Sequence, residues 1–203
     1  MLKNALRATA LAALATAVTV PAALAGPSGG EPRPAAAKTP VVTSVLKGEG
    51  RMDYPVEDED VRIRVDAKAV SPGGGSSLKG RSTGTFRIQH SYPARDGRRA
   101  RTLWGDFKVD CLTTGGPTAT VTGILVRTSP GHPWRTALDR HTRMGVSFYV
   151  PGGDGKRTAR DTARIGLSGA TAKGGPKLTR CMAPAADAAV VDGGYALKDR
   201  VRS

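Results

Sequence analysis

The sequence predicts an all-β protein, a single antiparallel β-sandwich or barrel of about eight or nine short strands. Three observations carry this expectation. Apolar and polar residues alternate with a period of two in several separate runs, as half-buried strands require. Glycine- and proline-rich turn signals separate those runs at intervals of roughly 8 to 15 residues. No segment sustains the period of an amphipathic helix.

Residues 104–128 show the pattern best. Leu103, Gly105, Phe107, Val109 and Cys111 alternate with Trp104, Asp106, Lys108 and Asp110. Residues 113–117, TTGGP, supply turn chemistry, because glycine reaches positive φ freely and proline cannot extend a ladder. The β-branched stretch 119–127 then reads as the returning strand.

The other elements follow in chain order. Residues 41–52 form a first strand in which Gly48 and Gly50 mark a bulge or a close backbone approach. The acidic run Glu57, Asp58, Glu59 and Asp60 precedes a strand with Val61, Ile63, Val65, Ala67 and Ala69 on one face. Arg62, Arg64, Asp66 and Lys68 occupy the other, so one side packs and one meets water. After a loop at 71–80, residues 83–92 resume the pattern with Phe86 and Ile88 together, and Asp96-Gly97 signals a hairpin. Residues 129–143, with Pro130, Pro133 and Trp134, lack either period; a short helix at 134–140 and an irregular loop both fit. Val146, Phe148 and Val150 point inward from a strand at 144–150. A glycine-rich loop at 151–161, a strand at 162–167, a loop at 170–177 and short strands at 188–192 and 195–198 complete the set.

The first 25 residues read as a secretory signal peptide. Lys3 and Arg7 precede an apolar run from Ala8 to Val20, then Pro21 and the A-x-A signal at 23–25. Residues 26–40, rich in Pro, Ala and Gly, read as a flexible tether, and 41–203 as a single β-domain. No later segment is long and apolar enough to span a bilayer as a helix. In an exported chain the two cysteines, Cys111 and Cys181, point to one disulfide, with two buried free thiols as the competing arrangement. A metal site is disfavoured because no histidine lies near either cysteine.

The order of these segments resembles the small exported repetin-type proteins of filamentous high-GC bacteria, over roughly residues 45–198. The motifs that carry the resemblance are G-D-x-x-V-D-C-L at 105–112, T-A-T-V-T-G at 118–123 and C-M-A-P at 181–184. It implies a secreted β-rich domain whose two cysteines pair. It carries over no catalytic or binding residue, and residues 129–143 are longer and more basic than that pattern.

Few residues suit catalysis. Only His90, His132 and His141 are available as bases, no G-x-S-x-G is present, and Ser147 and Ser168 have no recognisable setting. His132 and His141 lie nine apart, not the three or four that place two imidazoles on one helical face. The acidic run 57–60 and the pair Asp154 and Asp161 offer oxygen ligands but match no EF-hand loop. No metal or cofactor is therefore expected. Trp104, facing outward, is a candidate sugar-stacking platform; the competing reading packs it under the 129–143 loop.

Charge is the remaining signal. The chain carries a formal +14, which loses the two charges of Lys3 and Arg7 with residues 1–25. Arg95, Arg98, Arg99 and Arg101 cluster at one hairpin, and Arg127, Arg135, Arg140 and Arg143 around the irregular loop. Lys156, Arg157, Arg160 and Arg164 form a third group. Grouped on one face, Arg98, Arg99, Arg101, Arg135, Arg140 and Arg143 would favour anionic cell-envelope polymers; the competing reading is solvated surface charge. No helix-turn-helix, zinc-finger or RNA-binding signature supports sequence-specific nucleic-acid recognition. The expectation is a secreted, non-catalytic binding or structural module. A secreted hydrolase using His132 or His141 in a deep pocket, and an extracellular protease inhibitor, are the alternatives.

Overall fold

The computed structural model describes residues 39–73, 80–152, 162–168 and 178–203. Eight strands run in order: β1 (Val41–Met52), β2 (Asp60–Pro72), β3 (Arg81–Tyr92), β4 (Arg101–Gly115), β5 (Thr118–Thr128), β6 (Arg143–Tyr149), β7 (Arg164–Leu167) and β8 (Ala188–Arg202). Each pairs antiparallel with its neighbours in sequence, and β8 pairs back onto β1 along its length. The sheet thus closes on itself as an up-and-down barrel, which leaves no sandwich seam. Residues 1–38, which hold the expected signal peptide and all but the last two residues of the expected tether, and residues 74–79, 153–161 and 169–177 lie outside the described residues.

Alternation decides which side of each strand is wet. Along β2 the residues Val61, Ile63, Val65, Ala67 and Ala69 are buried, while Arg64, Asp66 and Lys68 are exposed. The interior is filled by side chains. Phe86 and Phe107 stack with centroids 4.7 Å apart, and Phe148 meets Tyr195 edge-on at 4.8 Å. The Tyr195 hydroxyl donates to the Ile63 carbonyl at 2.7 Å. Apolar inside and charged outside is the reverse of a membrane-spanning barrel, which turns its apolar side chains to lipid. Among the described residues, no helix is long and apolar enough to cross a membrane.

The structure corrects several boundaries. β2 continues to Pro72, and β4 continues to Gly115, so the turn is only Gly116 and Pro117, with Gly116 at φ +57°. The expected strands at 188–192 and 195–198 are one strand, making eight in all. Gly193 and Gly194 do not turn the chain: they pair with Gly50 and Glu49 of β1, and Gly193 at φ +79° lies against the Glu49 carbonyl. Gly48 and Gly50 are the anticipated close approach, since a Cβ at either would collide with the Tyr195 ring.

One bulge sets the position of the disulfide. The β4–β5 register shifts between Val109 and Cys111, so Asp110 is an extra residue and the phase of β4 inverts. Leu112, not Cys111, joins the interior cluster. Cys111 stands on the outer face beside Thr122 and bonds Cys181. The alternation had placed it on the inner face with Val109. Cys181 belongs to a strap, residues 178–187, that crosses the outside of β4 to β7. Arg180 donates to the Asp110 carbonyl at 2.8 Å, the Cys181 amide to Thr122 Oγ1 at 3.1 Å, and Ser147 Oγ to the Pro184 carbonyl. Gly145 and Gly166 let the strap lie flat, because a Cβ there would meet the Met182 and Ala185 carbonyls.

Candidate functional site

The up-and-down order places the turns 53–59, 93–100 and 129–142 at one end of the barrel, so two of the arginine groups share that end. Arg98 and Arg99 are exposed on the β3–β4 hairpin, where Asp96 (φ +50°) and Gly97 (φ +74°) turn the chain. With Tyr92, Arg95 and Arg101 they border a depression of 380 Å³, and Arg101 lies 5.1 Å over the Tyr92 ring. Arg135 and Arg140 are exposed on a 3-10 helix, Pro133–Arg140, that forms in place of an irregular loop. Arg143 is engaged elsewhere: it donates to Asp110 at 2.8 Å and to the Leu178 carbonyl at 3.2 Å, clamping the strap. Lys156, Arg157 and Arg160 lie outside the described residues, and Arg164 holds the Asp187 carbonyl at 3.0 Å.

The acidic run shares this end and spends its charge locally. Asp58 pairs with Arg95, Glu59 with His90, and Asp60 with Arg51 and Arg62. These carboxylates tie the β1–β2 turn to its neighbours. Asp154 and Asp161 lie outside the described residues.

The barrel mouth at the same end holds a pocket of 210 Å³ bordered by His90, Tyr92, His132, Trp134 and Ser168. Several of its polar groups are hydrogen-bonded within the protein. His90 reaches Glu59 at 2.6 Å and the Tyr92 hydroxyl at 3.0 Å. His132 Nδ1 accepts from the Trp134 amide at 2.9 Å, capping the 3-10 helix, and Ser168 Oγ accepts from the Gly145 amide at 2.9 Å. Burial and the Glu59 carboxylate push the Tyr92 phenol up, so it is a poor nucleophile. Burial, helped by nearby His90, pushes the His132 imidazole below its ordinary range. Among the described residues no serine is hydrogen-bonded to a histidine, the pairing that a serine nucleophile with an imidazole base uses. His141 is exposed and closes the 3-10 helix in the left-handed conformation.

The two tryptophans take different places. Trp134 packs edge-on against Phe107 at 5.8 Å and presses on Gly105, plugging the mouth. Trp104 faces outward, but its ring carries the guanidiniums of Arg87 at 4.3 Å and Arg127 at 5.3 Å. Both arginines bond Asp106, Arg87 at 2.6 and 3.0 Å and Arg127 at 3.0 and 2.7 Å. Burial alone would raise the Asp106 carboxyl; the hydrogen bonds and charges of the two arginines outweigh it and hold it below the usual range. The platform expected for a sugar is therefore occupied by the protein's own cations.

A further concave surface was not apparent from the arginine clusters of the sequence. A groove of 570 Å³ runs along the outer wall of β8, β1 and β2. Its floor is β1, with Thr43 and Val45; Lys198, Arg200 and Arg202 of β8 form one rim and Lys68 of β2 the other. Lys47 completes five cations, against the single carboxylate of Asp66, which Lys47 binds at 3.1 Å. Asp199 does not neutralise the rim, because alternation turns it to the other face, where it accepts from Thr114 Oγ1 at 3.0 Å. The signal was legible as the period-two run Lys198, Arg200, Arg202 near the C-terminus.

A filled eight-stranded barrel with a cationic outer groove and a strap held by one disulfide defines the class structurally. The chain matches no known family model, no characterised protein and no solved structure. The three motifs resembling the repetin-type proteins therefore rest on residue pattern alone.

Proposed function

We propose that this chain is an exported, non-catalytic barrel that binds anionic polymers of the cell envelope through its basic outer surface. The observation that carries this reading is the groove on β8, β1 and β2, where five cations face one carboxylate. Such a wall raises the local concentration of polyanions and releases their counterions on contact. The exposed arginines Arg98, Arg99, Arg135 and Arg140 add a second basic surface at the mouth end. Export by residues 1–25 agrees with the Cys111–Cys181 disulfide, which persists in oxidising compartments. The side-chain-filled interior, and the structural bonds that engage His90, His132 Nδ1 and Ser168 at the mouth, favour adhesion over turnover.

The test is cosedimentation of the chain from Gly26 onward with isolated cell-wall material across a salt series. Binding should fall steeply as salt rises and survive His132→Asn. No sedimentation at low salt, or retention unaffected by salt, would refute the reading.

A further inference from the structure

The cations of the groove are spaced, not scattered. Lys198, Arg200 and Arg202 alternate along β8 and leave the same face of the wall at intervals of about 6.8 Å. Lys68 and Lys198 flank Val45 in one cross-strand row, so the second rim faces the first across an uncharged floor. In the closed ladder that holds β8 to β1, these intervals are set by the backbone. A rigid row of cations discriminates among polyanions by their charge period, because each mismatch leaves a charge unpaired.

Polyanions differ in this period. Inorganic polyphosphate places a charge on every phosphorus, far closer than the row. An acidic polysaccharide carries its carboxylates one or two whole rings apart. A three-carbon polyol phosphate separates successive phosphodiesters by the same number of backbone bonds as separate alternate Cα atoms in a strand. Extended, the two repeats are commensurate. Single-stranded nucleic acid shares that backbone period, but it is held largely by stacking on aromatic rings. The residues lining this groove are Thr, Val, Ala, Lys, Arg and Asp, with no ring among them.

We infer that the groove seats a linear polyol-phosphate chain, extended along β8. Successive phosphodiesters meet Lys198, Arg200 and Arg202, and Lys68 closes from the opposite rim. The two arginines offer forked donors to phosphate oxygens, and Val45 on the floor takes the apolar polyol carbons. This rests on the reading of the protein as a polyanion binder and specifies which polyanion and which surface.

The experiment compares four probes matched in number of charges: poly(glycerol phosphate), inorganic polyphosphate, poly-glutamate and oligo-deoxythymidine. Each is titrated into the wild type, a groove variant (Lys198→Gln, Arg200→Gln, Arg202→Gln) and a hairpin variant (Arg98→Gln, Arg99→Gln, Arg101→Gln). All substituted arginines are exposed, and equal thermal midpoints confirm folding. Poly(glycerol phosphate) should bind wild type on the order of tenfold tighter than the other probes. The groove variant should lose that preference, with the salt slope falling by about two for three lost phosphate contacts. The hairpin variant should keep it. Equal binding of all four probes, or equal losses in both variants, overturns this inference while leaving general polyanion binding intact. Tighter binding of oligo-deoxythymidine overturns it in favour of nucleic acid. No binding of any probe overturns both readings.

Discussion

Removing one oxygen from the barrel interior, by Tyr195→Phe, tests how the closure between β8, β1 and β2 is held. Tyr195 is fully buried, its ring lies on Gly48 and Gly50 of β1, and its hydroxyl donates to Ile63 of β2 at 2.7 Å. A neutral buried hydrogen bond is worth about 1 kcal/mol net, and the deprived acceptor adds to the cost, so the loss should be about 1–2 kcal/mol. In a barrel of this size that lowers the melting midpoint by roughly 3–6 °C with no change in the urea m-value. Tyr195→Ala should cost about 3–5 kcal/mol, because the space over two glycines cannot collapse. Burial also pushes the Tyr195 phenol far above its ordinary range. The folded value lies above the unfolded one, so its contribution is complete below about pH 10 and is lost as pH rises further. Of the four tyrosines, this one should show no ionisation signal in ultraviolet titration until the barrel unfolds. A Tyr195→Phe loss below about 0.5 kcal/mol would show that the hydroxyl bond contributes nothing. A loss as large as that of the alanine variant would show that the ring itself moves.

Three further outcomes are expected. Replacing Cys111 and Cys181 together by serine opens a loop of 70 residues and should cost about 4 kcal/mol in the chain-entropy model, read by urea denaturation; an unchanged midpoint would mean the strap is held without the disulfide. Asp106→Asn should cost about 1–2 kcal/mol at neutral pH, with Trp104 becoming more open to acrylamide quenching as Arg87 and Arg127 disengage. Because the folded Asp106 value is depressed, its stabilisation is present above about pH 4 and lost as pH falls below that, so the variant should have a shallower acid limb below about pH 4; identical limbs would contradict the assignment. His132 is also depressed, so the wild type should lose stability as pH falls from about 6.5. His132→Asn keeps a helix-capping acceptor and removes that titration, and should flatten the profile in this window.

What the sequence determined by itself was local. The pleat forces side chains to alternate, so β2 could be read face by face from Val61 to Ala69, and the first strand from Val41 to Met52. Asp96-Gly97 announced its hairpin because few other pairs accept positive φ at both positions. The two cysteines, with no third to compete, announced their bond. What only the tertiary structure decided was non-local. The bulge at Asp110 inverted the phase of β4 and moved Cys111 outside, through a register shared with β5. Gly193 and Gly194 look like a turn until β1 is laid beside them, when they become the place where two backbones touch. Trp104 faces outward as its alternation indicated, but only the fold brings Arg87 and Arg127 from separate strands to cover its ring and sets Trp134 against Phe107. The groove was least legible, since Lys68 and Lys198 face each other only after β8 closes the barrel onto β1. Alternation is a property of each chain segment, whereas closure depends on which distant segments share a ladder.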